Sequence, residues 1–214
     1  RGLVIACEAE IAAARGGDPT PLRREAIAWA ERALRLTPGN IGTHESRANI
    51  LGALGEGRFN RGEDAEEDLQ AALAAYEGAI AMAPNRGDLI GDRAGVHLAL
   101  ARNRRDHGRE CEGEYRKAIE DAGKAVGLSP RIAKGPSMAG WAHLELAYQG
   151  ESDAEAEPEY AAALESFERA LALVPRSVDV LCGAAAALCG LAECGVRKGE
   201  DARGQVRRAI GLYD

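Results

Sequence analysis

Four prolines divide this chain into near-equal units. Pro38, Pro84, Pro130 and Pro175 stand 46, 46 and 45 residues apart. Each closes a segment of one form: Ala33-Leu34-Arg35-Leu36-Thr37-Pro38, Ala79-Ile80-Ala81-Met82-Ala83-Pro84, Ala125-Val126-Gly127-Leu128-Ser129-Pro130 and Ala170-Leu171-Ala172-Leu173-Val174-Pro175. Seven residues before each leading Ala stands another Ala: Ala26, Ala72, Ala118 and Ala163. Four residues after that come Ala30, Tyr76, Ala122 and Phe167. A period of 20–50 residues is the signature of stacked units that bury their apolar faces against one another. It constrains the fold more than any local propensity does.

The punctuation inside each unit divides it into two helices. Gly16, Gly62 and Gly108 each lie 22 residues before their proline, whereas Gly150 lies 25 before Pro175. The third full unit is therefore expected to carry a longer loop. Pro21 and Pro158 share a register position and are read as first residues of second helices, where a missing N–H costs nothing, with Thr20 as an N-cap. The reading for one unit is a first helix from Ile41 to about Arg58 and a second from near Glu66 to Met82, stopped by the proline. Leu69, Ala72, Leu73, Tyr76, Ala79 and Ile80 recur at helical spacing and form one apolar face. No segment alternates as a strand would, so the fold class is all-α. The recurrent Ala lets neighbouring helices approach closely.

The second-helix pattern resembles the tetratricopeptide repeat: Ala72, Tyr76, Ala79 and Pro84, then Ala118, Ala122, Ala125 and Pro130, then Ala163, Phe167, Ala170 and Pro175. The first helix departs from the family pattern. Its Leu-Gly pair corresponds to Arg47-Ala48, Arg93-Ala94, Ala139-Gly140 and Ala184-Ala185, and its aromatic to Leu51, His97, His143 and Leu188. The period of about 46 exceeds the family's 34. The chain looks like a long-repeat bacterial variety, with Gly62-Glu63-Asp64 and Gly199-Glu200-Asp201 as its turn. The resemblance implies a right-handed superhelical solenoid of antiparallel helix pairs. In the repeat register it runs as a partial repeat over 1–40, full repeats over 41–86, 87–132 and 133–177, and a partial repeat over 178–214. Arg1-Gly2 falls inside a first helix, and Ala209 and Tyr213 inside a second. The chain reads as a slice of a longer solenoid.

In this family the first helices line a concave surface that holds peptide segments. Carried over by register, that surface is Glu45, Ser46, Asn49 and Gly52, then Gly91, Asp92, Gly95 and Leu98, then Lys134, Met138 and Trp141, and last Asp179, Cys182, Gly183 and Ala186. The residues expected to carry binding are Glu45, Asn49, Asp92, Lys134, Met138, Trp141 and Asp179. Asn49 can bond a peptide backbone, Asp92 can take a cation, and Trp141 is a large amphipathic anchor. The family's cationic clamp for a partner's C-terminal carboxylates does not fit, because only Asn49 and Lys134 match it while Glu45 and Asp92 oppose an anion.

Charge and composition exclude several other functions. With 27 basic against 34 acidic residues and 4% aromatics, a nucleic-acid surface is disfavoured. The densest basic cluster, Arg102, Arg104 and Arg105, is too short for a basic stripe. No stretch is read as reaching the roughly 20 apolar residues of a membrane span. There is no phosphate-cradling Gly-Lys-Ser/Thr loop, no Gly-x-Ser-x-Gly elbow and no His-Glu-x-x-His, so neither enzyme nor cofactor is expected. Cys7, Cys111, Cys182, Cys189 and Cys194 are read as small buried thiols of a reducing compartment, and the chain as cytoplasmic. His97 and His143 are read as packing residues, since a metal or catalytic role needs a carboxylate or thiol at helical spacing and His143 and Glu145, two apart, do not share a face. The run Glu63, Asp64, Glu66, Glu67 and Asp68 is read as a solvated face favourable to a helix start. No metal site is expected.

What remains is a non-catalytic scaffold that binds a peptide or protein partner through its concave groove. The alternative is a structural solenoid that self-associates through its ends into an extended oligomer or filament.

Overall fold

A computed structural model describes residues 2–212, so Arg1, Tyr213 and Asp214, including the repeat position assigned to Tyr213, lie outside it. Among the described residues every regular element is a helix: α1 (Gly2–Ala14), α2 (Thr20–Leu36), α3 (Ile41–Phe59), α4 (Glu66–Met82), α5 (Gly87–Asp106), α6 (Glu112–Leu128), α7 (Lys134–Gln149), α8 (Asp153–Leu173), α9 (Val178–Arg197) and α10 (Arg203–Ile210). Each packs on its chain neighbours, and α3, α5, α7 and α9 also touch one another in sequence. Helices α3, α5, α7 and α9 thus form an inner row. Pairs run antiparallel: the end of α5 meets the start of α6 through Arg104 and Glu114 (3.1 Å), while Arg93 near its start bonds Asp121 (2.6 Å).

The prolines stop the second helices by a common mechanism. Thr37, Ala83, Ser129 and Val174, the residues preceding them, leave the helix with φ between −134° and −141° and ψ between 67° and 73°. The proline ring excludes the α conformation from the residue before it. The first helices end on Gly16, Gly62, Gly108 and Gly199, with φ between 67° and 81°. At Gly62 the chain closes with Gly62 N–H bonded to Phe59 O and Glu63 N–H to Arg58 O. That left-handed closure satisfies the helix's last carbonyls and favours a residue without Cβ. Asn40 caps α3 by accepting from Thr43 N–H (2.9 Å).

The third unit corrects the expectations for it. Its connection, 150–152, is the shortest between helices of a pair, and Gly150 takes φ −58°. The extra residues extend α8 to 21, placing Pro158 inside the helix instead of at its start. Three contacts hold this added turn: Ala156 is buried, Asp153 pairs with Arg197, and Glu157 with Lys198. Thr20 likewise makes no side-chain cap. It is the first residue of α2, and Asp18 accepts from its N–H (2.9 Å).

The buried core runs along the solenoid as a chain of clusters, from Leu51, Leu69 and Tyr76 to Tyr160, Phe167 and Leu188. Glycines set the helix spacing in its C-terminal half. A Cβ on Gly140 or Gly183 would stand 2.7 or 2.4 Å from the Phe167 ring, and one on Gly190 would stand 2.4 Å from Tyr160. Gly183 is therefore a packing residue and not a groove residue. α9 corrects the reading that no stretch is apolar enough for a membrane: by length and composition it qualifies, at mean hydropathy 1.6. More than half of that stretch is buried within the protein, as in a core helix made of Ala, Gly and Leu.

Polar contacts tie each unit to the next, and they correct one more expectation. Asp64 pairs with Arg109, and Glu66 with Arg104 (2.7 Å), so part of the acidic run is an ion-paired seam between repeats, while Glu63 and Glu67 stay exposed. Hydrogen bonds from Arg109, then Asn103, hold the Asp64 carboxyl well below the usual range. The wholly buried Asn103 accepts from Ala65 N–H (2.9 Å) and so supports the start of α4 from the neighbouring unit. His97 and His143 have carboxylate partners, supplied by the facing helix: Glu114 at 2.7 Å and Glu159 at 2.6 Å. Of the cysteines only Cys111 and Cys194 are buried; Cys7, Cys182 and Cys189 are exposed.

Candidate functional site

The inner row of helices places residues three, four and seven apart on one side, and that side is concave. Asn49, Gly52 and Glu56 come from α3; Asp92, Gly95, Leu98 and Arg102 from α5; Lys134, Met138 and Trp141 from α7; Asp179 from α9. Together they line a cavity of about 530 Å³. Six of the seven residues expected to carry binding meet there. Glu45 does not: it is half-buried beside Asn49 in the adjoining hollow and pairs with Arg86 (3.2 Å).

Trp141 has a double role. Its ring packs edge-on against Phe167 at 5.2 Å and lies beneath the Arg102 guanidinium at 5.6 Å. Its indole N–H donates to Asp179 Oδ2 at 3.3 Å. Packing fixes one side of the ring while the remainder faces the cavity, so it is a pre-positioned amphipathic surface. Asn49 accepts from the Tyr76 hydroxyl, which directs its carbonyl oxygen toward α4. Burial pushes the Tyr76 hydroxyl well above its ordinary pKa, so it remains a neutral donor.

The cavity's charges are mostly matched. Lys134 pairs with Asp92. Arg102 bonds Glu145 at 2.6 Å. The exception is Glu56, whose carboxylate makes no ion pair or hydrogen bond among the described residues. Water reaches it, yet the surrounding protein desolvates it and lifts its carboxyl above the ordinary range, against the pull of Lys134, Arg23 and Arg102.

Glu56, Arg102, Phe59, Asn60 and Tyr76 line the cavity but were not among the residues carried over by register. A signal for two of them was present. Continuing one helical turn beyond Gly52 and Leu98 arrives at Glu56 and Arg102, because residues four apart share a face. Tyr76 had been read only as core. Cys182, Gly183 and Ala186 lie outside this lining.

No family model and no curated protein matches the chain. Solved structures do resemble it. MamA from Desulfovibrio magneticus RS-1 is 15% identical, with 99% of this chain and 94% of that one covered at a TM-score of 0.55. A tetratricopeptide repeat protein from Parabacteroides merdae is 16% identical, with 99% and 73% covered at a TM-score of 0.51. At such identities the likeness is one of fold. Taken with the four-fold register of Ala and Pro in the second helices, it makes the chain a tetratricopeptide-type solenoid of helix pairs.

Proposed function

We propose that this chain is a non-catalytic protein-interaction scaffold that holds a peptide or protein partner in its concave groove. The observation that carries the reading is the convergence of residues from α3, α5, α7 and α9 on one open cavity with Trp141 at its wall. A surface built across successive repeats suits an extended ligand that contacts each repeat in turn. Rigid aromatic anchors of this kind concentrate binding energy. Trp29 and Trp141 are the only tryptophans in the chain, so Trp29→Phe leaves Trp141 as a single fluorescent reporter. Peptides selected from a random display library on the purified chain should shift that emission, and Trp141→Ala should weaken them at least tenfold. Binding indifferent to Trp141→Ala would place the site elsewhere.

The alternative, end-to-end self-association into an extended oligomer, has its own support. Leu3, Val4 and Ile11 on α1, and Val196, Val206 and Ile210 at the other end, are exposed apolar residues on the two terminal faces. Light scattering over a concentration series separates the readings. A constant monomer mass supports the recognition module, and growing mass supports stacking of copies.

A further inference from the structure

Resting on the groove reading above, we infer that the partner segment is basic, with a lysine or arginine side chain seated against Glu56 and a second polar contact at Asp179. The argument is one of unspent charge. Every cation that lines or borders the cavity is already engaged: Lys134 with Asp92, Arg102 with Glu145, and Arg23 with Glu10 (3.0 Å) and with the Ala53 carbonyl (2.9 Å). An anionic segment would have to break one of these pairs to be neutralised. Of the acids in the lining, Glu56 has no partner, and Asp179 has only the long indole contact. The groove therefore presents net unsatisfied negative charge, on a chain whose formal charge is already −7.

The position of Glu56 strengthens the case. It stands on the last turns of α3 and lines the cavity together with Phe59, Asn60 and Arg102, where the surrounding protein desolvates its carboxyl although water still reaches the side chain. A desolvated carboxylate gains more from a cation than one on an open surface does. Trp141, whose ring lies in the same lining, offers the apolar stem of a lysine or arginine a surface to pack along.

The test uses the folded chain and a random twelve-residue peptide display library. Selected peptides should be enriched in Lys and Arg over the input. They should bind Glu56→Gln about tenfold more weakly, the size expected for one charge-assisted contact. Asp179→Asn should weaken them less, and binding should fall as ionic strength rises. Circular dichroism melts establish that both variants fold; Glu56 is exposed and Gln has its shape. Peptides that require Trp141 but carry no basic enrichment, or that bind Glu56→Gln unchanged, overturn this inference and leave the groove reading standing. A selection that yields no binder, or binders indifferent to Trp141→Ala, overturns both.

Discussion

Two regions of this molecule use glycine for opposite ends. In the groove, a Cβ on Gly52 would meet only Val96 at 3.6 Å, and one on Gly95 only the Met138 sulfur at 3.4 Å. There the absent side chain leaves open space. In the C-terminal core, Gly140 and Gly183 both close on a wholly buried Phe167, and Gly190 on Tyr160. There the absent side chain is filled by an aromatic ring from the facing helix. Gly183 occupies the register position that holds Asp92 and Met138 in earlier repeats, so one position serves the cavity in two units and the core in a third. A repeat position thus has no intrinsic role; what faces it decides.

The largest expected effect breaks the core side of this contrast. Gly183→Ala places a methyl inside van der Waals distance of a ring that has no room to move, and stability should fall by about 3 kcal/mol or more, the upper end for overpacking. Gly190→Ala should behave alike. Urea midpoints measure both, and an unchanged midpoint would mean that α8 and α9 are more loosely packed than described. Trp141→Ala comes next. It removes both the Phe167 contact and the groove wall, so about 2 kcal/mol of stability should go along with binding. Trp141→Phe sharpens the distinction, since it keeps a smaller aromatic ring against Phe167 while removing the N–H given to Asp179.

Glu114 supplies a pH test of the packing that supports the groove's back. Burial would raise its pKa, but hydrogen bonds from His97 and Lys117 prevail and hold it at about 2, below the ordinary 4.5. A depressed carboxyl contributes stability that is present above its unfolded value and lost as pH falls through its folded one. Glu114→Gln should therefore cost on the order of 2 kcal/mol at neutral pH. The gap from the parent chain should narrow between about 4.5 and 2, as read from denaturation midpoints across that range. The smallest effect tests the groove side. Gly95→Ala should be neutral or stabilising by up to about 1 kcal/mol, because helical Ala is preferred to Gly and Met138 is flexible. It should nonetheless narrow the cavity and weaken peptide binding.

Much of this was legible beforehand, for identifiable reasons. The bounds of α3 and α4, read as Ile41 to about Arg58 and near Glu66 to Met82 from the Gly and Pro signals around them, lie within about one residue of the observed Ile41–Phe59 and Glu66–Met82. Helix ends are local events, set by backbone sterics within a few residues. Six of the seven proposed binding residues share a cavity because helical spacing and a fixed period together determine which side chains face the same way. The errors have a common cause. Pro158 was misread because the ion pairs that extend α8 come from Arg197 and Lys198, about forty residues away. The partners of His97 and His143 were missed because Glu114 and Glu159 lie on the facing helix, outside any local spacing rule. The acidic run looked solvated because Arg104 and Arg109 reach it only once two repeats have stacked.

By itself, then, the sequence determined the helical class, the two-helix unit, its period and part of the cavity's lining, all consequences of short-range sterics repeated at a constant interval. Tertiary structure alone decided which glycines are clasped and which are open, which acids are paired, and that Glu56 is left facing the groove without a counter-ion. Those outcomes depend on distances between repeats, and a pattern along the chain carries no such distance until the helices have packed.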